Sequence, residues 1–510
     1  MFLTFFSTAK TLLELNHPLK QIQTMTIKDL QPALVFSIFD KINQVPRPSK
    51  KEEKIRKFLL DFAAEHNIDV KTDAIGNVAM FVPATPGKEN APTVVLQAHM
   101  DMVCESNDKN FDFENQPIRT IVDGEWLRAD GTTLGADNGI GMAGAMAALI
   151  DKEIVHGPVQ TLFTVDEETG LTGANNVGDG MITGTILLNL DSEDDAEIFV
   201  GCSGGVDTIA TFTYKRSVAP TDFHYFHFDI SGGLGGHSGG DIHLGHANSN
   251  KLLSRFLYNL SLSHEVSLCE IDGGNLRNAI PRAAHAVFGV HSSNKEQVRV
   301  AFNKFVADVE REYAGLETTL KFDLTSTDRP EYAVDSETST ALIEALYCAP
   351  HGVISMSRDL PGLVETSTNL ASVKMNGENK IVVTTSQRSS VESRKWDIGR
   401  QVEAVFRLAG AEVSHTDGYP GWAPNMNSPI MKIASDAYEE LYGIKPAIKA
   451  IHAGLECGLF LQKYPSLDMV SFGPTLQGVH SPSERMYIPA VERFYGQLTR
   501  ILEKVADLNA

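Results

Sequence analysis

Glu167 and Glu168 stand side by side after the apolar run VQTLFTVD and before Thr-Gly. In such a pair one carboxylate could bind a metal ion while its neighbour takes a proton from an attacking water. Alone, adjacent glutamates are ordinary solvated surface. Here, other apolar runs also end in ligand-type residues. These are His99 and Asp101 in QAHMD, Asp137 in GADNGIG, Asp191 in LLNLDSEDD and His480 in GVHSPSE. Each has a plainer role when taken singly. A histidine can be a hydrogen-bonded core residue, Asp137 before Asn138-Gly139 can make a turn, and Asp191 can cap the segment that follows. Their shared position at the ends of apolar runs favours a common site.

Catalytic zinc sites combine imidazole nitrogen with carboxylate oxygen and keep one position open. A dinuclear site also needs a bridging ligand, which a carboxylate supplies well. His99, Asp137, Glu168, Asp191 and His480 are candidates for such a set. The mixed donors suit zinc first and also accommodate manganese or cobalt. Asp101, two residues after His99, shares its face on a strand and reads as the partner that orients it.

The elements that must position these residues alternate. Residues 29–66 read as helical, and IRKFLLDFAAEH carries a helical apolar period. VAMFVPA, TVVLQAH, TLFTVD and TILLNLD read as buried strands of an α/β sheet, and GIGMAGAMAALI as a buried helix. The ligand-type residues then fall just past strand C-termini, where open α/β sheets place ligands. After GCSGG the order becomes β-α-β-β-α-β, the ferredoxin-like order. A second set follows that lacks an opening strand. The expected organisation is a catalytic domain over 25–205 and 396–510, with a mixed central sheet flanked by helices. An inserted ferredoxin-like α/β lid, doubled in pattern, covers 206–395.

Composition narrows the partners. The chain of 510 residues carries a net charge of −21 and no basic block, which argues against nucleic acid and anionic membrane. No apolar run is long enough to span a bilayer. The five cysteines are odd in number and scattered, which suits a reduced, cytoplasmic setting. Residues 1–24 read as an N-terminal extension before a more ordinary start at Met25.

The motifs QAHMDMV, GTTLGADNGIGMA, LNLDSE, GCSGG, GGHSGG, NLRNAIPR, HAGLECG and GPTLQGVHSP, with the Glu-Glu pair, are ordered and specific. From about residue 30 onward the chain resembles the aminoacyl-histidine dipeptidases, carnosinase-like members of the M20 clan of dinuclear metallopeptidases. The resemblance implies a two-zinc catalytic domain with a lid, and hydrolysis of short peptides, Xaa-His dipeptides first. It implies that His99, Asp137 and Asp191 bind one ion, and that Asp137, Glu168 and His480 bind the other, Asp137 bridging. It matches Glu167 to the general base and Asp101 to the catalytic aspartate. It also places a cis peptide between Asp137 and Asn138.

A dipeptidase must hold both ends of its substrate. Arg388, ending the strand KIVVTTSQR, is the candidate for the terminal carboxylate. His237, on the glycine-rich turn GLGGHSGG, could stabilise an oxyanion, and Asn278 could donate to the substrate backbone. All three fall in the lid, so the lid must approach the metal ligands. The enzymatic alternative is another amidohydrolase of the same clan, a tripeptidase or an N-acyl amino acid deacylase. The alternative from a different class is a non-catalytic binding protein of the same fold, against which Glu167 and all five ligands are retained. Small peptides are the expected partners, and a homodimer is compatible with the sequence.

Overall fold

The computed structural model describes residues 25–508; the segment 1–24, read above as an extension, lies outside the described residues. Its first sheet has eight strands. At its centre Val159–Thr164, Val94–His99, Ile186–Asn189 and Asp468–Ser471 lie side by side and parallel. Asp69–Thr72 and Val78–Val82 add antiparallel strands at one edge, and Glu197–Cys202 and Ala447–Ile451 complete the other. The sheet is therefore mixed, as expected.

Strand alternation decides what each face buries. Val94, Leu96 and Ala98 enter the larger core with the helices Ala33–Asn43, Ala136–Ile150 and Ile488–Ala506. Val95 points the other way, into a smaller core with Trp422, Cys457 and Phe460. Both faces are covered, which explains why these strands are apolar throughout. The helix Ala136–Ile150 is buried almost from end to end, so it shows no polar stripe in sequence.

The expected helical stretch over 29–66 is two helices, Ala33–Asn43 and Glu53–His66. Pro46 and Pro48 lie between them; proline lacks the amide donor and disfavours helix in the residue before it. The break turns Arg47 into the interior, where it is 1% exposed.

The second sheet is antiparallel and nine-stranded. One half orders its strands Lys321–Thr327, Phe223–Ser231, Ala284–His291, Ser267–Gly273, with Ser249–Ser261 and Lys295–Glu312 as its helices. The other half orders Glu412–His415, Gly204–Thr213, Lys380–Ser389, Val364–Asn376, with the helices Ser336–Cys348 and Glu392–Leu408. Each half reads fourth, first, third, second in its own chain order. The opening strand missing from the second set in sequence is Gly204–Thr213, so the first unit is inserted behind it. The halves meet where Asp272 and Gly273 pair with Lys374 and Val373. All four helices bury their apolar faces in one core against this sheet. The lid edge expected at residue 395 falls inside the helix Glu392–Leu408. That helix and Glu412–His415 stay with the lid sheet, because the strand pairs with Gly204–Thr213.

Candidate metal centre

Strand ends and the turns after them bring the ligand-type residues together. His99 is the last residue of its strand, Asp137 opens the buried helix, Glu168 follows the strand Val159–Thr164, and Asp191 follows Ile186–Asn189. His480 arrives on a loop from the far end of the chain, with φ at 60°. His99 Nε2 lies 3.0 Å from Asp137 Oδ1 and 3.4 Å from Asp191 Oδ1. His480 Nε2 lies 3.1 Å from Asp137 Oδ2 and 3.0 Å from Glu168 Oε2. Asp137 thus offers one oxygen to each histidine. In each of the two triads the donor atoms lie within 4.8 Å of one another. The peptide bond between Asp137 and Asn138 is cis.

The donor set fits divalent cations. Glu168 Oε1 and Asp191 Oδ1 are buried with no hydrogen-bond partner. A buried oxygen without a donor is costly, and a cation against it removes that cost. Asp137, Glu167, Glu168 and Asp191 also crowd four carboxylates around two imidazoles. Burial raises Glu167 well above the usual carboxylate range, with Asp191, Glu456 and Glu168 adding to it. Burial likewise pushes Asp191 up to about 7. Hydrogen bonds to Asp137 and Glu168 lift His480 to about 11. Burial opposes charging His99, but Asp191, Asp101 and Asp137 outweigh it and raise that imidazole too.

Asp101 is fully buried and braces the centre from behind. Its Oδ1 lies 3.3 Å from His99 Nδ1 and accepts the Glu167 amide at 3.0 Å. Its Oδ2 accepts the Glu168 amide at 3.3 Å and the Ser49 hydroxyl at 2.8 Å. One carboxylate therefore sets both the His99 ring and the turn that carries the glutamate pair.

Three contributors lie outside the sequence-derived set. Glu484, 2% exposed, accepts the amides of Leu134 and Gly135 on one oxygen, and those of Ala136 and Asp137 on the other. It fixes the helix start that carries Asp137 to the loop that carries His480, and it favours the positive end of that helix. The buried Arg47 donates to the carbonyls of Gly135, at 2.7 Å, and Asp101. Gly135 and Gly139 leave it room: a Cβ on either would meet Arg47 Nη2 at 2.6 or 2.7 Å. Beneath His99, Glu456 is 1% exposed and accepts from Gln97 and Thr164.

Two of the lid residues meet the catalytic body near the glutamate pair, at a cavity that none of the metal-ligand candidates lines. Arg388 and Asn278 line a cavity of about 670 Å³ between the lid and the turn Gly170–Leu171, directly after the glutamate pair. Arg388 is 7% exposed; it donates to the Tyr419 hydroxyl at 2.8 Å, and its Nε has no partner. Tyr419 reaches it across Gly205, where a Cβ would meet the ring at 2.7 Å. His237 does not line that cavity. Its loop bonds to the Asn278 segment, Ser238 N donating to Asn278 O at 2.8 Å. Burial, then the charge of Arg388, lowers its pKa, and its Nδ1 accepts the amides of Gly239 and Gly240. The neutral ring so held carries its proton on Nε2. His452 is buried with its Nε2 2.7 Å from the Ser367 hydroxyl, which joins the catalytic body to the lid.

Two histidine–carboxylate clusters that share Asp137 beside a mixed sheet are compatible with metal-assisted hydrolysis. Residues 95–506 match the model of peptidase family M20/M25/M40. The chain is 40% identical over 480 residues to the cytosol non-specific dipeptidase of Escherichia coli (strain K12), covering 94% of this chain and 99% of that one. It is similar in structure to aminoacylhistidine dipeptidase from Vibrio alginolyticus, with a TM-score of 0.88, 43% identity and coverage of 94% and 98%. An aminopeptidase from Bacillus cereus ATCC 10987 shares the fold, with a TM-score of 0.60 at 17% identity and coverage of 94% and 100%. The chain belongs to peptidase family M20/M25/M40.

Proposed function

We propose that the protein is a dinuclear, metal-dependent dipeptidase acting on short peptides, Xaa-His dipeptides first. The observation that carries this is Asp137, whose two oxygens each face a different histidine. His99, Asp137 and Asp191 would hold one ion, and Asp137, Glu168 and His480 the other. Zinc is the first choice, with manganese or cobalt accommodated by the same donors. When bound, the ions supply polarisation of the scissile carbonyl and acidify the attacking water. Glu167 takes a proton from that water and delivers it to the leaving amine. Asp101 keeps His99 and the glutamate turn in register. His237, with its Nε2–H, is the donor for the oxyanion, Asn278 a donor to the substrate backbone, and Arg388 the partner of the terminal carboxylate.

We take residues 204–415 as the lid and the chain on either side of it as the catalytic body, a division supported by the pairing of Gly204–Thr213 with both Lys380–Ser389 and Glu412–His415. The relative from Escherichia coli is named a cytosol protein, which supports a cytoplasmic location here; no described helix is long and apolar enough to cross a membrane.

The test is a substrate panel on zinc-loaded protein: Ala-His, Ala-Leu, a tripeptide and an N-acetyl amino acid. Dipeptides should be cleaved fastest, Ala-His leading. Preference for the acetylated compound or the tripeptide would replace this assignment with a deacylase or a tripeptidase.

A further inference from the structure

The names of the two similar dipeptidases differ in breadth, one non-specific and the other for aminoacylhistidine. Any preference for histidine must come from contacts to the substrate's C-terminal side chain. The cavity beside Arg388 contains such a contact.

The strands Gly204–Thr213 and Lys380–Ser389 run antiparallel, with Arg388 opposite Gly205 and Ser386 opposite Asp207. Opposed residues, and residues two apart, share a sheet face. Arg388, Ser386 and Asp207 therefore stand on one face, and all three line the cavity. Arg388 and Asp207 are diagonal neighbours, a separation of about 7–8 Å between their positions. A C-terminal side chain running along this face from a carboxylate held at Arg388 would meet Asp207 if it had the length of an imidazole, whereas the methyl group of alanine would end short of it.

Asp207 is suited to that contact. Its side chain is 11% exposed, and its ion partner is Arg277, whose side chain is 68% exposed. Arg277 Nη1 donates to Asp207 Oδ2 at 2.9 Å from the loop that also carries Asn278. An exposed arginine keeps most of its hydration, so giving up this ion pair costs little. The carboxylate left behind is nearly buried and needs a replacement donor. Every form of an imidazole carries at least one N–H. Leucine has none.

We propose that Asp207 is the specificity-determining residue for the substrate's C-terminal side chain, accepting a hydrogen bond from the histidine imidazole in exchange for Arg277. This rests on the placement of the substrate carboxylate at Arg388. The ion pair with Arg277 holds Asp207 when no substrate is present. The exchange makes histidine the favoured residue while leaving apolar dipeptides as slower substrates.

The experiment compares kcat/KM for Ala-His and Ala-Leu in the zinc-loaded full chain and its Asp207→Asn variant. The ratio of the two should fall about tenfold or more in the variant. A ratio unchanged within about twofold, whatever the absolute rates, overturns the proposal. Competition in the unaltered protein gives a second measurement that needs no variant. Free L-histidine should inhibit Ala-Leu cleavage at a concentration about tenfold below that of L-leucine; equal inhibition overturns the proposal. Arg388→Ala separates this from the underlying assignment. It should raise KM for both dipeptides, and an unchanged KM for both removes the carboxylate anchor and the Asp207 contact with it.

Discussion

Glu167 and Glu168 are chemically identical neighbours whose surroundings divide their tasks. Glu168 turns an oxygen to His480 at 3.0 Å, while Glu167 shares a cluster with His99 but makes no ion pair within the two triads. That leaves Glu167 free of a proposed ligand role and beside the centre, where a proton-transferring group must stand. Glu167→Gln keeps the shape and removes the base. Turnover should fall by about a hundredfold to ten-thousandfold, with the metal content by elemental analysis unchanged. Near-normal turnover would take the base role from Glu167. His99, Glu168 and Asp191 were legible because each ends or follows a buried strand; Asp137 opens a helix and His480 sits on a loop, so the expected strand-end position does not hold for these two. Glu484 was not legible. Its partners stand 347 to 350 positions away in sequence, and nothing local distinguishes it from an exposed glutamate. Arg47 and Tyr419 were hidden in the same way, their partners being set by folding alone.

At the scale of elements, the buried helix Ala136–Ile150 and the His480 loop are tied by one carboxylate. Four amides converge on Glu484, three of them at 2.7 to 3.0 Å. The helix start therefore cannot shift without carrying the loop. Glu484→Gln weakens this clasp, because a neutral amide is a poorer acceptor than a carboxylate. Metal affinity should drop by about ten- to a hundredfold, measured by competition with a chromophoric chelator. Unchanged affinity for both ions would reduce Glu484 to a simple helix cap. The strands and helices themselves were largely readable from apolar period. The failure over residues 29–66 has a clear cause: the helical period was read only in IRKFLLDFAAEH, and Pro46 and Pro48 upstream of it break the backbone into two helices.

At the scale of the molecule, two sheets share the work. The proposed metal ligands lie at the end of His99's strand and on the turns, helix start and loop around the mixed sheet, while Arg388 lies on a strand of the antiparallel sheet and His237 and Asn278 on its loops. The doubled lid was visible as a repeated strand–helix pattern. Its second opening strand was not, because Gly204–Thr213 begins inside the GCSGG segment taken as the domain boundary, one residue after Glu197–Cys202, and its partners lie far along the chain. Pairing partners far along the chain settle which sheet each joins, and local sequence carries no trace of that choice. The same long-range pairing moves the lid's end from 395 to His415. The proposed centre turns on Asp137, whose two oxygens face His99 and His480, as the ligand shared by two ions. The most direct measurement is calorimetric titration of metal-stripped protein with zinc. Two ions should bind per chain, Asp137→Ala should lose both high-affinity sites, and His480→Ala should lose one. A single ion in the unaltered protein, or two tight ions retained by Asp137→Ala, would contradict the shared centre.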